Sequence, residues 1–176
     1  MTRKIVLTGG PGTGKSTTLE LLKAKGYYTL GEVATWIIGI ESKKQDGKLP
    51  WTDKDAFQKT VLETQLEWEN QIPKEVETAF LDRGLPDGLA YYRVDGLKPP
   101  RELEQAAKKA EYNKIFLIEP LSRFERTEVR RENTETARKL HQEIEKVYRE
   151  LGYNPIRIPE ATPEERVRLI LEETRK

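Results

Sequence analysis

The chain has 176 residues, about one domain's worth and enough to bury a core without disulfide or metal staples. Thirty-one Lys and Arg against thirty Asp and Glu leave a net charge of +1, which argues against a dedicated nucleic-acid binder. With no cysteine there is no disulfide, thiolate zinc site or Cys nucleophile. The opening apolar stretch is too short for a signal peptide, and no run approaches a membrane span, so a soluble, cytoplasmic protein with no membrane partner is expected. Charged residues reach 35%, with both signs mixed along the chain, which describes a solvated surface rather than a tail. The lack of Cys, the single Met and the many Glu and Lys would suit a thermophile.

A first strand is predicted at residues 4–8, where Ile5-Val6-Leu7 forms a short apolar run. A Gly-rich turn follows, then a helix over 15–25 with Leu19, Leu21 and Leu22 on one side and Gly26 as its stop. Residues 27–30 read as a second strand. Helical spacing of Val33, Trp36, Ile37 and Ile40 predicts a helix over about 32–42, and 43–51 is a polar loop. Thr52 with Asp55 three residues on marks a helix start, running to about 72 with Phe57, Val61, Leu62, Leu66 and Trp68 as its apolar positions. Ala79-Phe80-Leu81 is the third strand, ended by Asp82-Arg83-Gly84. Residues 85–96, rich in Gly, Pro and Asp, read as loop with a helical turn or two. A helix opens at Pro99 or Pro100 and runs to about 110, and 114–118 is the fourth strand. The clearest helix spans 134–151, with Ala137, Leu140, Ile144, Val147, Tyr148 and Leu151 on one face. A fifth strand at 156–158 precedes a capping box, Thr162-Pro163-Glu164-Glu165, and a last helix using Val167, Ile170 and Leu171. Strands alternating with helices imply an α/β protein, a parallel sheet covered on both faces and a ligand site beyond the C-terminal strand ends.

Gly9-Gly10-Pro11-Gly12-Thr13-Gly14-Lys15-Ser16 fits G-x-x-x-x-G-K-[ST] at every fixed position. Glycines let successive backbone N–H groups turn toward one anion, and the helix that follows adds its positive end. At ordinary residue frequencies such a match arises by chance in roughly one of a few hundred chains this long. Gly10, Pro11, Gly12, Thr13, Gly14, Lys15, Ser16 and Thr17 are therefore expected to hold a nucleoside triphosphate. Lys15 would reach the β- and γ-phosphates, and the Ser16 hydroxyl would hold Mg²⁺.

With these residues the chain resembles the P-loop kinase and NTPase superfamily. Within it, the chain looks most like the ATPases related to ribosylnicotinamide kinase domains. Besides residues 9–17, the likeness rests on Gly31-Glu32-Val33-Ala34, on the stretch from Leu81 to Gly88, and on Arg130-Arg131-Glu132 leading to Tyr148-Arg149-Glu150-Leu151-Gly152-Tyr153. The resemblance implies one three-layer domain over 1–176, with a five-stranded parallel sheet in the order 2-3-1-4-5. It also implies a small-molecule phosphotransferase or NTPase. Thr35 stands where relatives often carry Arg, which points to a different substrate.

Asp82, directly after a strand, is expected to hold Mg²⁺ opposite Ser16; the alternative is an Asp that caps a turn or pairs with Arg83. Arg83 would grip a phosphate or stabilise transferred charge, or form a surface ion pair. Glu32 sits where deoxynucleoside kinases, which this region resembles in layout, place the base for a substrate hydroxyl; a helix-dipole role is the alternative. Asp87 is the competing acid, with a turn role open to it. Arg123, Arg126, Arg130 and Arg131 fall in a lid-like segment at about 120–133, where kinases of this class carry a basic lid; Arg126 and Arg130 are the expected actors, and pairing with Glu125, Glu128 and Glu132 the alternative. Trp36, Tyr91 and Tyr92 are candidates for stacking on an acceptor ring, and His141 reads as an ordinary helix residue.

The reading favoured by these residues is an ATP·Mg²⁺-dependent kinase of a small polar metabolite, with GTP open as donor. A triphosphatase with water as acceptor and a nucleotide-dependent binding module are the rivals. Phe116 stands where a guanine-reading N-K-x-D begun at Asn113-Lys114 needs Asp. An AAA+ motor is set aside because Arg83 follows Asp82 where a second acid is expected and because the chain is short.

Overall fold

The computed structural model describes residues 1–122 and 128–176, and the side chains up to 122 and from 135 onward. Its elements in chain order are β1 (Arg3–Thr8), α1 (Lys15–Ala24), β2 (Tyr28–Leu30), α2 (Val33–Glu41), α3 (Lys54–Asn70), β3 (Thr78–Asp82), α4 (Leu85–Val94), α5 (Arg101–Lys109), β4 (Lys114–Ile118), α6 (Glu128–Glu150), β5 (Ile156–Ile158) and α7 (Pro163–Arg175). The five strands form one sheet in the order β2-β3-β1-β4-β5, every pairing parallel, as expected.

Alternation along the central strands divides the core into two layers. Val6, Leu81, Ile115 and Leu117 point to one face, against α4, α5 and α6. Ile5, Leu7, Phe80, Phe116 and Ile118 point to the other, where Leu19 and Leu22 of α1 and Val167 and Ile170 of α7 cover them. Val33 and Ile37 of α2 and Phe57 of α3 make a third, smaller cluster beside the strand ends. The registers set the site: Leu7 lies level with Asp82, so the loop after β1 and the acidic end of β3 emerge side by side.

Three elements depart from the periodicity reading. Residues 85–94 are helical, not loop. Pro86 sits in the first turn, where its missing N–H costs nothing, and the Asp87 carboxylate reaches back to accept the Gly84 N–H at 3.0 Å. Burial of Leu85, Leu89 and Tyr92 completes a helix that composition alone reads as a turn. Helix α3 is capped by Asp53, which accepts from the Ala56 N–H at 3.0 Å; the Thr52 hydroxyl closes the preceding turn by accepting from the Leu49 N–H at 2.9 Å. Helix α6 begins at Glu128 rather than 134, since no Gly or Pro stands between.

Candidate active site

The phosphate-binding motif bridges β1 and α1. Gly14 takes φ +83° immediately before α1, a left-handed conformation that a side chain would resist. Lys15 is buried and turns back over the loop, donating from Nζ to the Gly10 carbonyl at 2.9 Å, the Thr13 hydroxyl at 3.2 Å and the Gly9 carbonyl at 3.3 Å. Burial, helped by the nearby Arg83 charge, pulls its ammonium down to about 8. Pro11, Gly12, Ser16 and Thr17 face solvent, Gly14 is half-buried, and Gly10 and Thr13 are buried.

Asp82 ends β3 across from Ser16, whose hydroxyl donates to Asp82 Oδ2 at 3.3 Å. The other oxygen, Oδ1, is buried with no hydrogen-bond partner. Burial pushes the carboxyl up to about 6, with Lys15 pulling against it. An unpartnered buried carboxylate oxygen beside a hydroxyl fits a hard cation such as Mg²⁺, which takes one or two protein oxygens and completes its shell with phosphates and water. Among the described residues there is no cluster of three or more His, Cys, Asp or Glu able to hold a metal alone.

Arg83 is buried, not the surface residue of the alternative reading. Its backbone takes φ +71°, the one non-glycine positive φ among the described residues, pinned by its N–H on the Leu7 carbonyl at 2.9 Å and by Gln65 Nε2 on its own carbonyl at 3.2 Å. From this turn Nε donates to Glu32 Oε1 at 2.6 Å, and one terminal nitrogen donates to the Gly9 carbonyl at 3.0 Å and Asp87 Oδ1 at 3.1 Å. The guanidinium lies 5.4 Å from the Tyr91 ring centre. Burial opposes its charge, and Tyr91, Asp87 and Glu32 more than offset that, so it stays protonated.

Glu32 precedes α2 without capping it: its side chain makes no bond to the helix backbone. Oε1 is taken by Arg83, and Oε2 accepts from the Thr35 hydroxyl at 2.8 Å. Burial raises its carboxyl, but Arg83, with Thr35 and Lys15, outweighs that and holds it below the usual carboxylate range. Asp87 spends its acceptor capacity differently. Oδ1 accepts from Thr8 at 2.5 Å and from Arg83, and Oδ2 from the Gly84 N–H and from the Tyr148 hydroxyl at 2.7 Å. Four donors on one carboxylate make Asp87 a fastening of the site, in place of the competing acid.

A cavity of about 400 Å³ opens at this point, with Glu32, Asp82 and Arg83 at its polar end and Ile38, Phe57, Val61, Tyr91 and Leu103 along its apolar walls. Of the three aromatic candidates only Tyr91 lines it. Trp36 is half exposed and packs edge-on against Trp68 at 5.2 Å, and Tyr92 is in the core with its hydroxyl on Asp55. Arg123 and Arg126 lie outside the described residues, as do the side chains of Arg130 and Arg131.

Two side chains missed in the sequence meet the phosphate loop from outside. His141 of α6 accepts the Gly10 N–H on Nδ1 at 3.1 Å, so it is no ordinary helix residue. Arg166 of α7, fully buried, donates to the Thr13 carbonyl and, at 3.1 Å, to the Glu119 carbonyl. The signal for both was a polar residue on an apolar helix face: His141 lies four residues after Ala137 and three before Ile144, and Arg166 four before Ile170.

A loop of this geometry between a central parallel strand and its helix, with an acid ending the neighbouring strand, defines a P-loop protein. The family model described as an AAA domain matches residues 4–166, and the chain belongs to that family. No curated protein matches. The fold is shared with thymidylate kinase from Ehrlichia chaffeensis, at TM-score 0.71 and 13% identity over 99% of both chains. It is shared as well with deoxyadenosine kinase from M. mycoides, at TM-score 0.65 and 16% identity over 98% of both chains. Thymidylate kinase from Candida albicans gives TM-score 0.67 and 14% identity over 99% of this chain and 91% of that one. No helix among the described residues is long and apolar enough to cross a membrane.

Proposed function

We propose that the chain is a single-domain kinase that transfers the γ-phosphoryl group of ATP to a hydroxyl of a small, uncharged, ring-bearing metabolite of nucleoside type. The observation that carries this reading is Glu32: an ionised carboxylate, fixed by Arg83 and Thr35, at the polar end of an otherwise apolar cavity. Two of the structural neighbours are named as kinases of a nucleotide and of a nucleoside. Between those acceptor types, charge pairing favours the uncharged one. Arg83 is committed to Glu32, Asp87 and Gly9, and Lys54 at the cavity wall is paired with Asp95, so both described cations of the lining already have partners. An acceptor phosphate would also meet the Glu32 charge.

In this reading the loop N–H groups and Lys15 hold the phosphates, and Ser16 and Asp82 hold Mg²⁺, which neutralises charge on the transferring group when bound. Glu32 accepts the acceptor's hydroxyl proton while that oxygen bonds to the γ-phosphorus and the bond to the bridging oxygen of the ADP product breaks. A carboxylate held low is a modest base, but a loose phosphoryl-transfer transition state needs the hydroxyl oriented more than deprotonated early. Arg126 and Arg130 would contribute charge from the lid-like segment.

The test is ADP and GDP release with Mg²⁺ and each triphosphate, with and without a panel of nucleosides, against Lys15→Ala. Turnover that requires a nucleoside supports the kinase. Equal turnover without one supports the triphosphatase and removes Glu32's role, and tight binding with negligible turnover under every condition supports the binding module.

A further inference from the structure

The Gly9 carbonyl and the Gly10 N–H belong to one planar peptide unit. Its oxygen accepts from Lys15 Nζ at 3.3 Å and from Arg83 at 3.0 Å. Its N–H donates to His141 Nδ1 at 3.1 Å. This single peptide therefore joins the phosphate-binding lysine to the arginine that holds Glu32, and its far side is held by an imidazole from α6. The fit is close. A Cβ at Gly10 would come within 2.9 Å of the Ala137 carbonyl, and one at Gly9 within 3.4 Å of His141 Nδ1.

We propose that His141 is a positioning residue for the phosphate loop: its neutral imidazole, as acceptor, orients the Gly9–Gly10 peptide and through it Lys15 and Arg83. Accepting on Nδ1 requires the tautomer with its proton on Nε2. Nε2 is buried without a hydrogen bond, 3.5 Å from Glu119 Oε2. The charged groups facing the ring are Glu119 after β4, Glu145 on α6, Arg157 on β5 and Lys15 on α1. Arg157 is itself bonded to Glu119 at 2.6 Å and to Glu145, which occupies those carboxylates. Burial is the largest influence and, aided by Arg157 and Lys15, outweighs Glu119 and Glu145, so the imidazole is held below its ordinary range. The acceptor form is thus the neutral-pH form. Protonation would set N–H against N–H and turn the peptide away.

The functional part of this inference rests on the loop binding nucleotide; the geometric part does not. ATP affinity is measured in EDTA from pH 5.5 to 7.5 for wild type, His141→Asn and His141→Ala, with the Gly10 amide and the imidazole nitrogens followed by NMR. Leaving out the metal removes Asp82's role as a ligand, and its titration is common to all three proteins and cancels in their ratios. Asn places an oxygen where Nδ1 stands and does not titrate. Expected are His141→Asn within about threefold of wild type at pH 7.5, His141→Ala weaker by roughly tenfold, and a wild-type affinity that falls relative to His141→Asn as the imidazole protonates. The Gly10 amide should shift with that protonation in wild type alone. His141→Asn as weak as His141→Ala overturns the proposal, as does an affinity ratio that stays flat through imidazole protonation. Wild type that binds ATP no better than Lys15→Ala overturns the nucleotide reading instead, and the Gly10 amide shift still decides whether the imidazole holds that peptide.

Discussion

The phosphate end and the acceptor end of the site treat charge in opposite ways. At the phosphate end Lys15 is pulled down to about 8 and Asp82 pushed up to about 6, and one Asp82 oxygen is buried without a partner. At the acceptor end Arg83 binds three oxygens and Asp87 accepts four hydrogen bonds. Metal would complete the unpartnered Asp82 oxygen, and triphosphate would give Lys15, whose three hydrogen bonds all go to neutral oxygens, an anionic partner. Groups fully partnered form a frame around the proposed base, Glu32. Charge at the first end should therefore cost the protein stability while serving function, and charge at the second should hold the protein together.

The sharpest way to break that contrast is Arg83→Met. Removing the cation leaves Glu32 and Asp87 facing each other in a buried setting, a loss of about 3–5 kcal/mol, large against a total of about 5–15 kcal/mol. Urea unfolding measures it, and a loss under 1 kcal/mol would mean that Arg83 is not the frame. Lys cannot replace it, because one ammonium cannot span the contacts made by Nε and the terminal nitrogen. Glu32→Gln separates frame from function within the same end. Its amide fills the space and its oxygen can still accept from Arg83, so the protein folds with a stability loss smaller than that of Arg83→Met and ATP affinity is retained, while phosphoryl transfer falls about 10²–10⁴-fold. Steady-state rates together with a nucleotide Kd decide it; equal losses in both would place Glu32 in the nucleotide site.

The two ends also differed in how readable they were. The phosphate loop is eight consecutive residues whose types are dictated by one anion, so the motif stands out in a single sequence. The sheet order came with that resemblance, and alternating strands and helices agreed with it. The acceptor end draws on Glu32 before α2, Thr8 on β1, Asp87 on α4 and Tyr148 on α6, and only the fold brings them together. Glu32 was legible by its place after a strand, but its partner was not: Arg83 was read toward a phosphate or the surface, because nothing local announces its left-handed turn. The helix at 85–94 was missed for the same reason, since its stop-like Gly, Pro and Asp are answered by a reach-back carboxylate and by buried Leu and Tyr.

Asp82→Asn tests the other half of the contrast. Asp82's folded value, about 6, lies above the ordinary 3.8, so the folded state holds the extra proton between those values. Its contribution to stability is present in full below about pH 4 and is lost as pH rises through about 6. Replacing it should stabilise the protein at pH 7 by roughly 1–3 kcal/mol, flatten stability between pH 4 and 6, and abolish Mg²⁺-dependent turnover. A variant less stable than wild type at pH 7 would mean that the Ser16 contact, not burial, dominates there.

The smallest expected effects distinguish two aromatic residues that sequence alone grouped together. Tyr91 lines the cavity and lies against the Arg83 guanidinium, whereas Trp36 points outward onto Trp68. Tyr91→Leu keeps an apolar wall but removes a flat ring, so the acceptor KM should rise several-fold, consistent with an aromatic contact of about 0.5–1.5 kcal/mol. Trp36→Leu should leave that KM unchanged and cost at most about 1 kcal/mol of stability, through the lost edge-on packing. If instead Trp36→Leu raised the acceptor KM and Tyr91→Leu did not, the acceptor would sit on the outer face of α2. The 400 Å³ cavity beside Glu32 would then not be its seat.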